Sequence, residues 1–459
     1  MKRIFLLIAC LSALIVTACT SESALPTPSG KGSIRAFNAI PASPDIRFLI
    51  EERLVGTLGY NQSTSQNSFD DFEYNFNFEL FLPGFLRPER VLTYPHKLEA
   101  GRSDIFVLTG DAENPTVNIW STPDREWVEA DTVLEIRFAH MNLTQVDNDI
   151  DIYLDEAVTP AVVANKVATL SYGQISDVSD FAEGNYTVTI TTAGNIDDIL
   201  YQSGTIGFPS QTTQIVTAMA GDENVTAKAG DENDGSPVVV NILNNFGNDR
   251  VFPDADAQQT VRFFHAARAL QATDIFDDDM LTSLKFSNLE YGNASGDIAM
   301  STEVETFYYT PTGSTAAVLH EATHQVPVGR HSNLYVIGPA DDYSSYPFLP
   351  DRASVSLYAK VQLFNAALDS GTVNVYIKDA DDPLVEEDRA TIFGLTYPAP
   401  SPIQALDTGS YDIYVTLVSD QVPLADPLRL DVVDGDIVDL LVLDTDTPGV
   451  IEIKVMPAL

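Results

Sequence analysis

A pattern that recurs four times along the 459 residues restricts the fold of this chain more than any other feature. Each copy opens with a short alternating segment that ends in Asn or His followed by Ala or Met. The four opening segments are 34–39, 136–141, 261–266 and 361–366. A period of roughly 100 residues indicates that one structural unit is repeated in tandem.

β-Strands rather than helices are predicted within each copy. Large apolar side chains recur at every second position of 72–82, and this period of two predicts a strand with one face in a core and most of the other in water. About seven short segments of this kind per hundred residues, with turn signals between them, predict Greek-key sandwiches. The predicted fold class is therefore all-β, with four tandem immunoglobulin-like Greek-key β-sandwich repeats at 32–130, 131–250, 251–352 and 353–459.

Two tyrosine motifs recur among the copies. A leucine and a tyrosine two positions apart stand at a turn in every copy: Leu58/Tyr60, Leu170/Tyr172, Leu289/Tyr291 and Leu395/Tyr397. Gly-x-Tyr sequences place Tyr186 and Tyr411 at a strand entry. They resemble the tyrosine corner of immunoglobulin-like domains, in which the hydroxyl bonds back to the backbone. We expect both hydroxyls to make such a bond.

The opening strand, the leucine-x-tyrosine step and the Gly-x-Tyr strand entry together resemble the bacterial family called domain of unknown function 4397. The resemblance is best in the second and fourth copies and extends over most of the chain. It implies immunoglobulin-like domains that occur in tandem in exported and lipid-anchored proteins. Its motifs are structural, so it implies no catalytic residues.

The N-terminus resembles the signal peptide and lipobox of bacterial lipoprotein precursors. Lys2 and Arg3 precede an apolar run at 4–16, and small residues then lead to Cys19. The run is shorter than the about 20 apolar residues that span a membrane. The resemblance implies a signal peptide at 1–18, a lipid on Cys19 and a flexible tether that completes 19–31. Because Thr20 rather than Asp follows the cysteine, it also implies an outer-membrane lipoprotein that faces the periplasm or the cell surface.

A net charge of −41 restricts the partners of the chain. Such a chain repels nucleic acid and anionic lipid surfaces, so we predict no nucleic-acid partner and a membrane contact through the lipid alone. The carboxylates keep a protein soluble or bind divalent cations, and their scatter over loops favours the first. Of the two cysteines, Cys10 leaves with the signal peptide and Cys19 is lipidated. Stability must then come from apolar cores, because no disulfide can form.

Two sequence patterns suggest metal sites, and neither is favoured. Asp147, Asp149 and Asp151 alternate as calcium ligands could, but the glycine and glutamate of an EF-hand loop are missing, which favours acidic turns. His320, Glu321 and His324 match a zinc-metallopeptidase motif, which requires a helix. Alignment with the second copy predicts a strand there, and four strand steps separate the histidines by about 13 Å. We therefore predict no metal and no cofactor.

Three hypotheses of function remain open. The first is a non-catalytic, lipid-anchored module for binding, adhesion or scaffolding in the cell envelope, with an unidentified protein or glycan partner. The second is a structural spacer without a ligand. The third, a zinc metallopeptidase, rests only on the motif at His320. Trp120 and Trp127 could stack on a sugar, but packing between the first two repeats is favoured. His140 and His265 correspond to Asn38 and Asn365 in the other copies, which indicates a shared hydrogen-bonding role.

Overall fold

The computed structural model describes residues 27–158, 162–226, 237–244 and 249–457. Within these ranges the chain forms β-strands joined by turns, with one short 3-10 helix at Leu143–Gln145. No helix in the described ranges is both long and apolar enough to cross a membrane. The prediction of an all-β chain of tandem β-sandwiches is confirmed.

Repeats 1 and 2 contain the first eighteen strands. In repeat 1 the strands are β1 Lys31–Asn38, β2 Ile46–Ile50, β3 Arg53–Leu58, β4 Asn67–Asp70, β5 Glu73–Leu80, β6 Glu89–Lys97, β7 Arg102–Gly110 and β8 Pro115–Pro123. In repeat 2 they are β9 Val133–Met141, β10 Ile150–Glu156, β11 Lys166–Leu170, β12 Ser179–Ala182, β13 Gly184–Thr192, β14 Ile199–Gln202, β15 Ile206–Phe208, β16 Thr213–Ala220, β17 Val238–Asn244 and β18 Arg250–Phe252. Because β18 pairs with β17, the second sandwich extends two residues past its predicted end at 250.

Repeats 3 and 4 contain the remaining strands. In repeat 3 they are β19 Thr260–His265, β20 Thr273–Phe276, β21 Leu284–Leu289, β22 Ile298–Ala299, β23 Val304–Pro311, β24 His320–Gln325, β25 His331–Ile337 and β26 Ser344–Phe348. In repeat 4 they are β27 Ala359–Asn365, β28 Val373–Asp379, β29 Ile392–Leu395, β30 Ala399–Pro400, β31 Gln404–Leu406, β32 Gly409–Leu417, β33 Leu428–Val432, β34 Ile437–Asp444 and β35 Ile451–Val455.

All four sandwiches share one strand order. In repeat 1, one sheet has the order β4-β1-β7-β8 and the other β3-β2-β5-β6. The opening strand runs parallel to a late strand in every repeat, as β1 with β7, β9 with β16, β19 with β25 and β27 with β34. The constant-type immunoglobulin domain instead divides seven strands into ABED and CFG sheets. Periodicity predicts strands but not their partners, so this difference could not be seen in the sequence.

Each sandwich encloses a core of its own. In repeat 1, Phe76 and Phe78 of β5 are fully buried there, as their period of two predicts. The opposite face of β5 is less exposed to solvent than predicted, because Asn77 and Glu79 are also buried. Glu79 receives hydrogen bonds from Arg47 and Arg90, both at 3.1 Å, which compensate the burial of its charge.

Two further apolar clusters lie between sandwiches and join them in pairs. We call the first the 1–2 interface; it contains Phe37, Ala39, Ile105, Val107, Trp120, Ala139, Met141, Ile215, Met219, Val239 and Leu243. The second, the 3–4 interface, contains Phe264, Ala266, Tyr335, Ile337, Phe364, Ala366, Leu441, Leu443 and Met456. Both clusters come from the sheets that carry the opening strands. These sheets therefore bury both faces, one in their own sandwich and one against the neighbouring repeat.

The leucine-x-tyrosine step contributes to both levels of packing. Its leucine lies in the core of its own sandwich in all four repeats, at Leu58, Leu170, Leu289 and Leu395. Its tyrosine reaches across the interface: the Tyr60 hydroxyl donates to the Ala220 carbonyl at 2.7 Å, and the Tyr291 hydroxyl donates to the Asp444 carbonyl at 2.9 Å. In repeats 1 and 3 the motif thus positions one sandwich on the next.

Loops also connect the two pairs of sandwiches to each other. The backbone N–H of Ser356, which lies between repeats 3 and 4, donates to the carbonyl of Ala42 in repeat 1 at 2.7 Å. Leu357 packs against the core of repeat 1. From repeat 2, Val225 forms a β-bridge with Arg330 of repeat 3. Contacts therefore join the first pair of sandwiches to the second, in addition to those within each pair.

Candidate functional site

A cavity of about 400 Å³ lies where repeats 3 and 4 meet. Strands β19, β25 and β34, together with the segment 350–352, contribute to its wall, and Glu223 adds a side chain from repeat 2. Its size falls within the range of small-molecule sites, which occur preferentially at domain interfaces. We call it the 3–4 cavity.

One side of the 3–4 cavity is a closed ion-pair cluster. Arg352 binds the Asp297 carboxylate through both terminal nitrogens, at 2.7 and 3.1 Å. His331 lies 3.4 Å from the same carboxylate. Although burial opposes ionisation, the hydrogen bonds of His331 and Arg352 hold the pKa of Asp297 well below its usual range. The Asp297 carboxylate and the terminal nitrogens of Arg352 therefore already have protein partners, whereas the buried Nε of Arg352 has none among the described residues.

Arg262 of β19 stands on another side of the 3–4 cavity and is only 2% exposed. Its Nε donates to the Ser295 carbonyl at 3.0 Å, and its Nη2 donates to the Pro457 carbonyl at 2.8 Å. Burial lowers the pKa of this guanidinium. Its Nη1 makes no hydrogen bond with any described residue.

Asp439 of β34 also lines the cavity, half-buried, and its carboxylate makes no hydrogen bond with any described residue. Burial raises its pKa, and the charges of Arg262 and Arg352 offset this only in part. Neither arginine comes within the 4.0 Å of an ion pair with it. The Asp439 carboxylate and the Arg262 guanidinium thus line one cavity but form no ion pair with each other.

The 1–2 interface shows that sandwich pairing does not require an acid at this place, although Arg35 and Arg137 occupy the positions that correspond to Arg262. In the register of the parallel strands, Asp439 stands beside Gln362, just as Ile215 stands beside Arg137 in repeat 2. Ile105 occupies the same place in repeat 1, and both isoleucines are buried in the 1–2 interface. The cavity at this end of the 1–2 interface is smaller, about 210 Å³. Asp439 therefore replaces the apolar residue that packs at the corresponding position of the 1–2 interface.

The zinc-like motif lies in strand β24, so its predicted strand conformation is confirmed. The His320 ring forms a hydrogen bond with Ser345 and the His324 ring one with Ser332, both at 2.7 Å. Burial lowers the pKa of both imidazoles. No group of three potential metal-binding side chains occurs among the described residues.

The three aspartates proposed for calcium are not brought together. Asp147 and Asp149 are exposed in the turn before β10, whereas Asp151 is buried within the strand. The Asp151 carboxylate accepts hydrogen bonds from the Gly194 backbone at 2.9 Å and from Lys166 at 3.3 Å. Asp274 of repeat 3 binds the Gly313 backbone in the same way, at 2.8 Å, so the acid fixes a turn in both repeats.

Both Gly-x-Tyr tyrosines bond back to the backbone four residues earlier. The Tyr186 hydroxyl donates to the Ala182 carbonyl at 2.9 Å, and that of Tyr411 donates to the Asp407 carbonyl at 3.0 Å. Cys19 and the rest of 1–26 lie outside the described residues.

Trp120 is buried in the 1–2 interface, as expected. Trp127 is half-buried and stacks on the Arg125 guanidinium at 4.2 Å from the ring centroid, beside the smaller cavity.

The histidines and asparagines that end the opening strands shape the turns that follow. The Asn38 side chain accepts from the backbone N–H of Ile40 at 3.0 Å, and that of His140 accepts from Asn142 at 3.2 Å. Asn365 does the same with Ala367 at 3.1 Å. His265 differs, because its Nε2 bonds to the Gln271 carbonyl at 3.2 Å while its Nδ1 has no hydrogen-bond partner among the described residues. The same turn bond therefore occurs at Asn38, His140 and Asn365 but not at His265.

Sequence reasoning missed the residues of the 3–4 cavity. Arg262 and Asp439 are far apart in the chain, and only the pairing of two repeats places them in the wall of the same cavity. A local signal did exist, since Asp439 interrupts an otherwise apolar stretch at 437–443. An acid in the half-buried first part of a strand whose later residues are buried needs an explanation beyond packing.

Comparison with known proteins finds one family match. Residues 259–376, about a quarter of the chain, match the family described as Domain of unknown function (DUF4397). The matched segment covers repeat 3 and continues into β28 of repeat 4. No curated protein matches the chain.

Among solved structures, the chain is similar to "The Bacillus anthracis TIE protein", with 9% identity and a TM-score of 0.15. That match covers 87% of this chain, which spans 66% of the length of the other protein. The family match at residues 259–376 is to the DUF4397 family that the sequence motifs of the chain resemble.

Proposed function

We propose that this chain is a non-catalytic, lipid-anchored module of the cell envelope that acts as a rigid scaffold and binds a ligand or partner. The observation that supports the proposal most is the pairing of sandwiches through the 1–2 and 3–4 interfaces. Paired sandwiches hold their surfaces in a constant geometry, which a scaffold needs and a flexible string of domains lacks.

The 3–4 cavity favours binding over a purely structural spacer. A spacer has no use for the half-buried Asp439 carboxylate, which accepts no hydrogen bond from the described residues, because its burial costs free energy of folding. At the position of Asp439 the 1–2 interface has isoleucines, Ile105 and Ile215. The spacer remains the second candidate, supported by the acidic charge of −41, which keeps the chain soluble without defining a binding face.

Distance measurement by electron spin resonance tests the rigid scaffold. The mature lipoprotein would carry Glu113→Cys and Met280→Cys, two exposed positions in repeats 1 and 3, as its only free thiols. A narrow distribution of distances between the spin labels supports the proposal. A broad distribution, like that of independently moving domains, contradicts it.

Cell fractionation tests the lipid anchor. The Cys19→Ser variant is expected to leave the membrane fraction or to accumulate as an uncleaved precursor, because it offers no thiol for the lipid. A Thr20→Ser variant keeps the thiol and serves as the control. Membrane association of Cys19→Ser equal to that of the control would refute the anchor.

A further inference from the structure

The 3–4 cavity exposes one hydrogen-bond donor and one acceptor of opposite charge to the same space. Nη1 of Arg262 and the carboxylate of Asp439 each lack a hydrogen-bond partner among the described residues, although the Arg262 guanidinium also stacks on the Phe264 ring. They are close enough for each charge to affect the pKa of the other, yet they form no ion pair. A ligand that satisfies both groups must therefore accept at one end and donate at the other.

The charges around the cavity narrow the choice of ligand. Arg262 disfavours a simple cation, whereas Glu223, Asp436 and Asp439 disfavour a simple anion, and the charge of Arg352 is already paired with Asp297. A molecule with both charges and no net charge avoids both penalties. Hydrogen bonds between charged groups are also stronger than those between neutral groups.

We propose that the 3–4 cavity binds a small zwitterion of the amino-acid type, with its carboxylate on Arg262 and its ammonium group on Asp439. The proposal rests on the binding role given above and names its ligand class. The acidic rim formed by Glu223 and Asp436 further favours a basic side chain on the ligand over an acidic one.

The chain itself supplies conservative variants for the test. At the position of Arg262, repeat 4 carries Gln362, whose amide donates to the Ser401 carbonyl as Arg262 donates to Ser295. At the position of Asp439, repeat 3 carries Asn333. Arg262→Gln and Asp439→Asn therefore introduce side chains that this strand pairing already accommodates. Asp446→Asn, at an exposed position of repeat 4, is the matched control.

Calorimetric titration of the purified mature chain with L-alanine, N-acetyl-L-alanine, L-alaninamide and glucose tests the proposal. We expect saturable binding of L-alanine, and at least tenfold weaker binding of the two derivatives, each of which lacks one charge. Arg262→Gln and Asp439→Asn should each weaken the binding of L-alanine at least tenfold, and Asp446→Asn should not change it. L-Lysine should bind more tightly than L-glutamate.

Three results would overturn the proposal: no saturable binding of any amino acid at millimolar concentration, equal binding by Asp439→Asn and the parent, or tighter binding of glucose than of L-alanine. Melting curves of the variants show whether they fold, so a loss of binding in a folded variant is informative. Failure here would leave the spin-label distances unchanged. A broad distance distribution, in contrast, would contradict the scaffold whatever the titration shows.

Discussion

The hydroxyl of Tyr60 in repeat 1 donates a hydrogen bond to the backbone carbonyl of Ala220 in repeat 2, at 2.7 Å. The corresponding tyrosine of repeat 3, Tyr291, makes the equivalent bond to Asp444 in repeat 4. The same motif thus fixes both pairs of sandwiches. Burial raises the pKa of both phenols above the usual value near 10, so both remain protonated donors at neutral pH.

Removing one of these hydroxyls should weaken a sandwich pair. Tyr291→Phe deletes the bond to Asp444 and is expected to lower the free energy of unfolding by about 1 kcal/mol. Tyr308→Phe, on a half-exposed tyrosine of the same repeat, is the control and should change little. Urea denaturation measures both. Equal stability of the two variants would show that the bond across the interface contributes nothing.

The tyrosine corner should contribute less than the bonds between repeats. The hydrogen bond from Tyr411 to Asp407 lies near the surface, where water replaces it at low cost. Tyr411→Phe is therefore expected to cost about 0.5 kcal/mol, the lower end for such bonds. Thermal unfolding of the variant measures the change. A larger loss of stability for Tyr411→Phe than for Tyr291→Phe would contradict the prediction that the tyrosine corner contributes less than the bond between repeats.

The aromatic contact between Tyr335 and Phe364 is the tightest ring stack of the 3–4 interface, with centroids 3.8 Å apart and planes inclined by 4°. Phe364→Ala removes it and leaves a cavity, which costs about 3–5 kcal/mol for a buried phenylalanine. Because the ring is shared, repeats 3 and 4 should both lose stability. Phe393→Ala is the control, since Phe393 is 77% exposed on the same repeat. Hydrogen exchange of both repeats reports the effect, and a loss confined to repeat 4 would contradict shared packing.

Asp439 should make the stability of the chain depend on pH. Burial raises its folded-state pKa, so the folded state is penalised once the group ionises in the unfolded state, near pH 4. Asp439→Asn removes the penalty, and should stabilise the chain at pH 7 but not at pH 3. Asp446→Asn should show no such difference. A neutral or destabilising effect of Asp439→Asn at pH 7 would mean that its attraction to the arginines outweighs burial.

The strands and the repeats could be predicted from the sequence because both leave a local signal. The opening strand at Phe37 and the alternation at Phe76 reflect the period of two of a strand. Alignment with repeat 2 predicts the strand conformation at His320. The asparagines at the corresponding positions of other copies predict the hydrogen-bonding role of turn residues such as His140.

The pairing of repeats could not be predicted in the same way. An opening strand buried on two faces looks, in sequence, like a strand with one unusually apolar outer face. Phe264 and Phe364 are such apolar residues on the outer face, but the sequence does not show which surface packs against them. The 3–4 cavity depends on the pairing, because Arg262 and Asp439 belong to different repeats. Neither its position nor its chemistry could therefore be derived before the tertiary structure was known.

The central claim is that the pair of sandwiches, rather than the single repeat, is the stable unit. Scanning calorimetry of two fragments, residues 249–457 and residues 353–457, tests it most directly. We expect the longer fragment to unfold in one cooperative transition, because repeats 3 and 4 share the 3–4 interface. The single repeat should melt at a clearly lower temperature, or self-associate through its uncovered apolar face. A monomeric single repeat that melts at the same temperature as the pair would contradict the claim.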